Sequence, residues 1–195
     1  MTNTRTFSMP AIVSGASALV LAVAGFQSRI LADWWLENLV IAAFFAALAF
    51  HPRWRMSLSP TSLWMLFALL CLHEYGAAYA YATPLGEWMR QLPGLAGRNH
   101  YDRLVHFFYG VLTIRGFREL AGGSSLAGVQ SVLSTSALYE IIEWIIAAMV
   151  DPSLGSEFVG AQGDDFDAAK DMALAFCGAL VMMLRKANGS QSESR

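Results

Sequence analysis

Arg98-Asn99-His100-Tyr101-Asp102-Arg103-Leu104-Val105-His106 packs two arginines, an aspartate and two histidines into nine residues, and the apolar run 107–114 follows at once. Asp102 and His106 are four apart, so on a helix they share one face. Charge this dense at the mouth of an apolar helix is costly in lipid unless it meets partners. Three other stretches offer them: His73-Glu74, Glu140 with Glu143, and the aspartates from Asp164 to Asp171.

The composition says that lipid is the right medium to consider. Only 14% of the 195 residues are charged and 55% are hydrophobic, with a mean hydropathy of +0.43. A soluble domain carries about 25% charged residues. Six stretches have the apolar character of spans, at about 11–26, 34–50, 62–82, 99–114, 126–150 and 164–184. About 20 apolar residues cross a bilayer as a helix. The expected fold is all-α: a polytopic membrane domain over 11–186, between a short N-terminus (1–10) and a polar, disordered tail (187–195). A net charge of −2 gives no reason to expect nucleic acid as a partner. Cys71 and Cys177 lie inside apolar runs and read as reduced thiols packed among helices.

Local signals set the boundaries. Pro10, Ser59-Pro60, Thr83-Pro84, Gly122-Gly123 and Asp151-Pro152 punctuate the apolar runs. Ala22-Val23-Ala24 has the form of a signal-peptidase site, but a single Arg5 precedes it and the apolar run continues, which favours an uncleaved helix. Trp34-Trp35 reads as an interfacial anchor. Glu37 lies in the first turn of the second span, where a carboxylate suits the helix dipole. The first two spans otherwise carry almost no charge and read as lipid-facing support.

With six spans, one side holds Arg5, Arg53, Arg55, Arg115, Arg118, Arg185, Lys186 and Arg195; the other holds Arg29, Arg90, Arg98, Arg103 and Lys170. That split of eight to five places both termini in the cytoplasm. His73 then lies roughly 13 Å, and Glu143 roughly 10 Å, below the outer surface. Asp102, His106, Asp167 and Asp171 sit in the first turns of their spans. Four spans thus carry their ionisable groups in one outer half, so the polar site is expected on residues 62–184.

The spacings narrow the chemistry. Asp102-x-x-x-His106 suits a carboxylate orienting an imidazole, or two metal ligands on one face. Glu140-x-x-Glu143 puts two carboxylates together, which must share a proton, a cation or an arginine. These four are the candidate catalytic residues. Asp164-x-x-Asp167-x-x-x-Asp171 is a carboxylate ladder; Asp164 could serve as a helix cap, but Asp171 is too deep for that. With His73 and Glu74 these aspartates are the candidate metal ligands. His73 and Glu74 point about 100° apart on a helix, so one atom does not easily meet both. Carboxylates outnumber Arg98, Arg103 and Lys170 in this half, which invites a divalent metal ion or shared protons. No standard zinc spacing, P-loop, nucleophile elbow or dinucleotide fingerprint is present.

At these residues the chain resembles the YjdF-like family of bacterial inner-membrane proteins. The matching pieces are His73-Glu74 with Tyr79-Ala80-Tyr81, Arg98 to Arg103 with His106-Phe107, Arg118-Glu119, Tyr139-Glu140 with Glu143-Trp144, and Gly160-Ala161-Gln162-Gly163-Asp164 with Asp167 and Asp171. Phe166 and Ala78 depart from that pattern, where the family favours Trp and His. The resemblance implies a location in the inner membrane. Within its motifs Asn99, Tyr101 and Gln162 join Arg98 and Arg103 as candidate ligand-binding residues.

Three function classes follow. The first is a small membrane-embedded enzyme or binding protein for a periplasmic or lipid-linked ligand, with Arg98 and Arg103 on an anionic group. The second is a proton or divalent-metal transporter, which needs polar groups in the cytoplasmic half; Arg115, Arg118 and Glu119 stand only at its edge. The third is a structural subunit whose polar cluster locks helices together.

Overall fold

The computed structural model describes residues 9–50 and 57–192, and every regular element among them is a helix. Six are long: α1 (Met9–Gln27), α2 (Leu31–Phe50), α3 (Pro60–Ala78), α5 (Tyr101–Leu120), α6 (Ser125–Met149) and α8 (Asp167–Ser192). Two are short: α4 (Pro84–Met89) and α7 (Pro152–Val159). The long helices fall on the six apolar stretches. Their 19 to 26 residues make about 29 to 39 Å at 1.5 Å per residue. By length and composition α6 alone of the described helices qualifies as a membrane crossing. Ionisable residues interrupt α5 and α8. Residues 1–8, 51–56 and 193–195, and with them Arg5, Arg53, Arg55 and Arg195, lie outside the described residues.

The ends follow local chemistry. The Ser59 hydroxyl accepts the Ser62 N–H (3.2 Å) and Pro60 opens α3. Thr83 accepts the Gly86 N–H (3.1 Å) ahead of Pro84, and Asp151 accepts the Ser153 N–H (2.9 Å) ahead of Pro152. A side-chain oxygen satisfies an orphan N–H while proline lacks one to satisfy. These caps nucleate α4 and α7 inside what read as loops. Asp151 is held below the usual carboxylate range by the hydrogen bonds it accepts from Ser153.

Four expectations are corrected. α3 stops at Ala78 rather than 82, because Ala80 and Tyr81 adopt left-handed backbone (φ 48° and 53°). α8 runs to Ser192, past the start of the expected tail. Cys177 is exposed on α8 rather than packed among helices, while Cys71 is half-buried. α2 is not plain support: Asp33, Trp34 and Glu37 are buried, and of the two tryptophans only Trp35 is exposed.

α5 is the centre of the bundle. It runs parallel to α8 and antiparallel to α3 and α6, as its contact pairs show. The α5–α8 crossing is very close. A Cβ on Gly110 would stand 1.9 Å from the Ala175 carbonyl oxygen, and one on Gly178 would stand 2.1 Å from that of Phe107. Small residues let backbones approach where lipid offers no hydrophobic drive. Ile114, Val132, Ala175 and Ala179 fill the adjoining core. His106 lies one turn before Gly110, and Asp171 one turn before Ala175. The crossing therefore brings these two side chains together.

Candidate functional site

Asp102 and His106 on α5 meet Asp171 on α8. One donor atom from each lies within 4.8 Å of the other two. His106 Nε2 is 3.5 Å from Asp102 Oδ1 and 3.6 Å from Glu140 Oε1 on α6. Those separations are too long for good hydrogen bonds, so the groups converge without bonding one another directly. Asp171 is 2% exposed, and its Oδ1 accepts no hydrogen bond from any described residue; the same holds for Glu140 Oε1. A cavity of about 410 Å³ opens over them, lined also by Glu143, Trp144, Val159 and Ala168.

The mouth of the site is tied by ion pairs. Arg98 binds Asp167, and Arg103 binds Asp164 and reaches Asp167 (3.3 Å). Lys170 Nζ donates to both Asp164 oxygens (2.6 and 2.8 Å). Lys170, with the Phe166 N–H and Arg103, holds the Asp164 carboxyl down to about 2. His100 is pushed below the usual imidazole range by burial, and the Arg103 and Arg98 charges add to this. The Asn99 N–H donates to Gln162 Oε1 (2.8 Å), and Gln162 Nε2 donates back to the Asn99 carbonyl (3.2 Å). Tyr101 is buried and donates to the Leu72 carbonyl (2.8 Å). Arg98, Asn99, Tyr101, Arg103 and Gln162 thus all have protein partners. A second cavity of about 550 Å³ lies above Arg98, His100, Arg103 and Gln162.

His73 and Glu74 take other hydrogen-bond partners. Tyr81 O–H and His73 Nδ1 share a 2.8 Å hydrogen bond, while Trp34 Nε1 donates to Glu74 Oε2 (2.9 Å). The two side chains turn apart, as their offset on the helix requires. Tyr81 reaches back through the left-handed turn and lies over Gly76, where a Cβ would stand 2.8 Å from its ring. Tyr139 donates to Glu37 Oε2 (3.0 Å), linking α6 to α2. The candidate metal ligands are thus divided: Asp171 joins Asp102 and His106, Asp164 and Asp167 join the arginines, and His73 and Glu74 face α2 and Tyr81.

Trp34, Glu37 and Tyr81 were not among the candidate site residues read from sequence. A signal existed for Glu37: Asp33 and Glu37 are four apart, which puts two carboxylates on one face of an apolar helix. Tyr81 stood in the motif next to His73-Glu74, but its pairing with His73 depends on the left-handed turn.

At the other end of the bundle Glu119 caps α3. It accepts the Ser59 N–H (2.8 Å) and hydroxyl (2.7 Å), the Ser62 hydroxyl (2.7 Å) and Arg115 Nε (3.0 Å).

The residues that build this bundle lie within a match to a known family. The family model described as "Predicted membrane protein (DUF2238)" matches residues 9–188. The chain belongs to this family. It is also similar to the inner membrane protein YjdF of Escherichia coli (strain K12), at 33% identity over 180 residues, covering 85% of this chain and 83% of the relative. No solved structure matches the chain. Family and relative together make this an inner-membrane protein of bacterial type, which agrees with the resemblance read from its motifs.

Proposed function

We propose that the chain crosses the inner membrane six times with both termini in the cytoplasm, and that Asp102, His106 and Asp171 form an outward-facing divalent-cation site. Glu140 and Glu143 stand beside it as acid–base groups toward a periplasmic or lipid-linked ligand. The observation that carries this reading is the convergence of three donors within 4.8 Å, one of them a buried carboxylate with an oxygen that no described residue engages. Leaving such an oxygen unmatched in a low-dielectric interior is costly, and a cation relieves that cost. One imidazole and two carboxylates suit zinc, manganese or ferrous iron. When bound, such an ion supplies Lewis acidity toward a water or a ligand oxygen.

Arg98 and Arg103, with Asp164 and Asp167, are in this reading the lock that holds α5 against α8. The Glu119 network favours a one-sided site over a conducting path, since among the described residues that carboxylate is committed to capping a helix.

The test is metal analysis of the protein purified in a non-ionic detergent, with thermal unfolding in added zinc or manganese and in chelator. A stoichiometric dication that stabilises the parent, and is lost in a folded Asp171→Asn variant, is the expected result. Absence of any bound dication from the parent, with no stabilisation by either metal, would rule the site out.

A further inference from the structure

We infer that the cleft between α6 and α8 is a side entrance from the outer leaflet for an amphiphile whose head group carries a protonated amine. This rests on the reading of the Asp102–His106–Asp171 pocket as a ligand site and names the class of ligand it takes.

The cleft has an acidic floor and mixed sides. Asp102, Glu140 and Asp171 lie at its base, and Asp164, Asp165 and Asp167 line it together with the apolar Trp144, Val159 and Ala168. Trp144 is 69% exposed at the rim, and Phe166 is 70% exposed just ahead of α8. Ile141, Ile145 and Met149 are also exposed along α6, the helix whose composition best suits lipid. A hydrocarbon tail resting on that face loses nothing by staying in the bilayer, while its head reaches the acidic floor. About 410 Å³ lies in the range of small-ligand pockets, roughly 300–1,000 Å³, and is enough for a head group.

The charge of the pocket selects the head. Arg98, Arg103 and Lys170 are turned to Asp164 and Asp167. Deeper in, Asp102, Glu140 and Asp171 stand around the imidazole of His106, and Glu143 lines the same cavity. A dication on Asp102, His106 and Asp171 still leaves Glu140 and Glu143, which share that cavity. Two like carboxylates together must share a proton or take up a cation, and a protonated amine supplies the cation. An ammonium offers three donors, enough for both, and the indole face of Trp144 attracts the same charge. An anionic head would meet repulsion on the same floor.

The experiment adds dodecylamine, dodecanol, dodecyl sulfate or tail-less ethylamine to the full-length protein in maltoside micelles, before and after zinc loading, and follows the unfolding midpoint. Dodecylamine should raise the midpoint saturably, with dodecanol and dodecyl sulfate not doing so and ethylamine acting only at far higher concentration. Glu143→Gln should lose the response and Trp144→Ala should weaken it, with bound zinc, measured by metal analysis, retained in both. Equal responses to dodecanol and dodecylamine, or a full amine response in both variants, would overturn the inference. Bound zinc without an amine response defeats this inference alone; an amine response without bound metal defeats the metal reading alone.

Discussion

Asp171 is the residue where burial and chemistry conflict most. Its carboxyl is shut from solvent on α8, near Asp102 and Glu140. Asparagine at this position keeps the shape and removes the charge a metal needs. Native-state ligands stabilise by mass action, about 2.7 kcal/mol at a hundredfold excess over Kd. Asp171→Asn is expected to erase that metal-dependent gain while the protein still inserts and folds, as checked by unfolding midpoints with and without metal. Arg98 makes the opposite case. Its pairing with Asp167 is buried, so Arg98→Met leaves that carboxylate with only the longer Arg103 contact (3.3 Å) and should cost up to about 3–5 kcal/mol. The double variant Arg98→Met/Asp167→Leu should recover much of that loss, since neither charge is then stranded. If the double variant is as unstable as the single one, the pair is not what holds this corner.

At the scale of elements, the α5–α8 crossing decides whether the donors meet. Gly110→Val would drive a side chain into the Ala175 carbonyl, which is backbone and cannot step aside. The helices must then separate. Gly110→Val should lower the unfolding midpoint sharply and abolish any metal-dependent rise seen in the parent; a Gly110→Val protein as stable as the parent would show that the close crossing is not required. The approach to α8 is set by Asp164. Its folded value of about 2 lies below the ordinary 3.8, so the folded state binds fewer protons there. The stabilisation from its Lys170 and Arg103 contacts is complete above about pH 4 and disappears as the pH falls toward about 2. Acid titration followed by unfolding should show the parent losing its advantage over Asp164→Asn in that window. An undiminished advantage at pH 2 would mean that the contact contributes no stability.

For the whole molecule, the open question is the orientation of the bundle. α1 ends, α2 begins, α3 ends, α5 begins, α6 ends and α8 begins at the site end, as linked by the Arg29–Ala78, Trp34–Glu74, Asn99–Thr83 and Asn99–Gln162 contacts. The eight-to-five division of Lys and Arg should keep the opposite end in the cytoplasm. Reporter fusions after Arg195 should work only as cytoplasmic reporters, and fusions in the 151–163 connection only as periplasmic ones. A C-terminus on the outer side would overturn this arrangement and with it the outward-facing site.

Sequence alone determined the class of molecule and most of its helices, because long apolar runs broken by Pro and Gly mark where helices start and stop, and a helix satisfies its own backbone in a membrane protein. It also determined that Asp102 and His106 share a face, which is a matter of helical period. What it left undecided was which carboxylate each cation takes. Arg98 and Arg103 had Glu140, Glu143, Asp164, Asp167 and Asp171 within reason. Only the close approach of Gly110 and Gly178 set the α5–α8 register that gives Asp164 and Asp167 to the arginines and leaves Asp171 to His106. The same holds for α2, whose buried Trp34 and Glu37 look peripheral until Glu74 and Tyr139 come against them from distant parts of the chain. Periodicity along one helix is written in the local order of residues. The partner across an interface depends on the depth and rotation of both helices, and packing decides these.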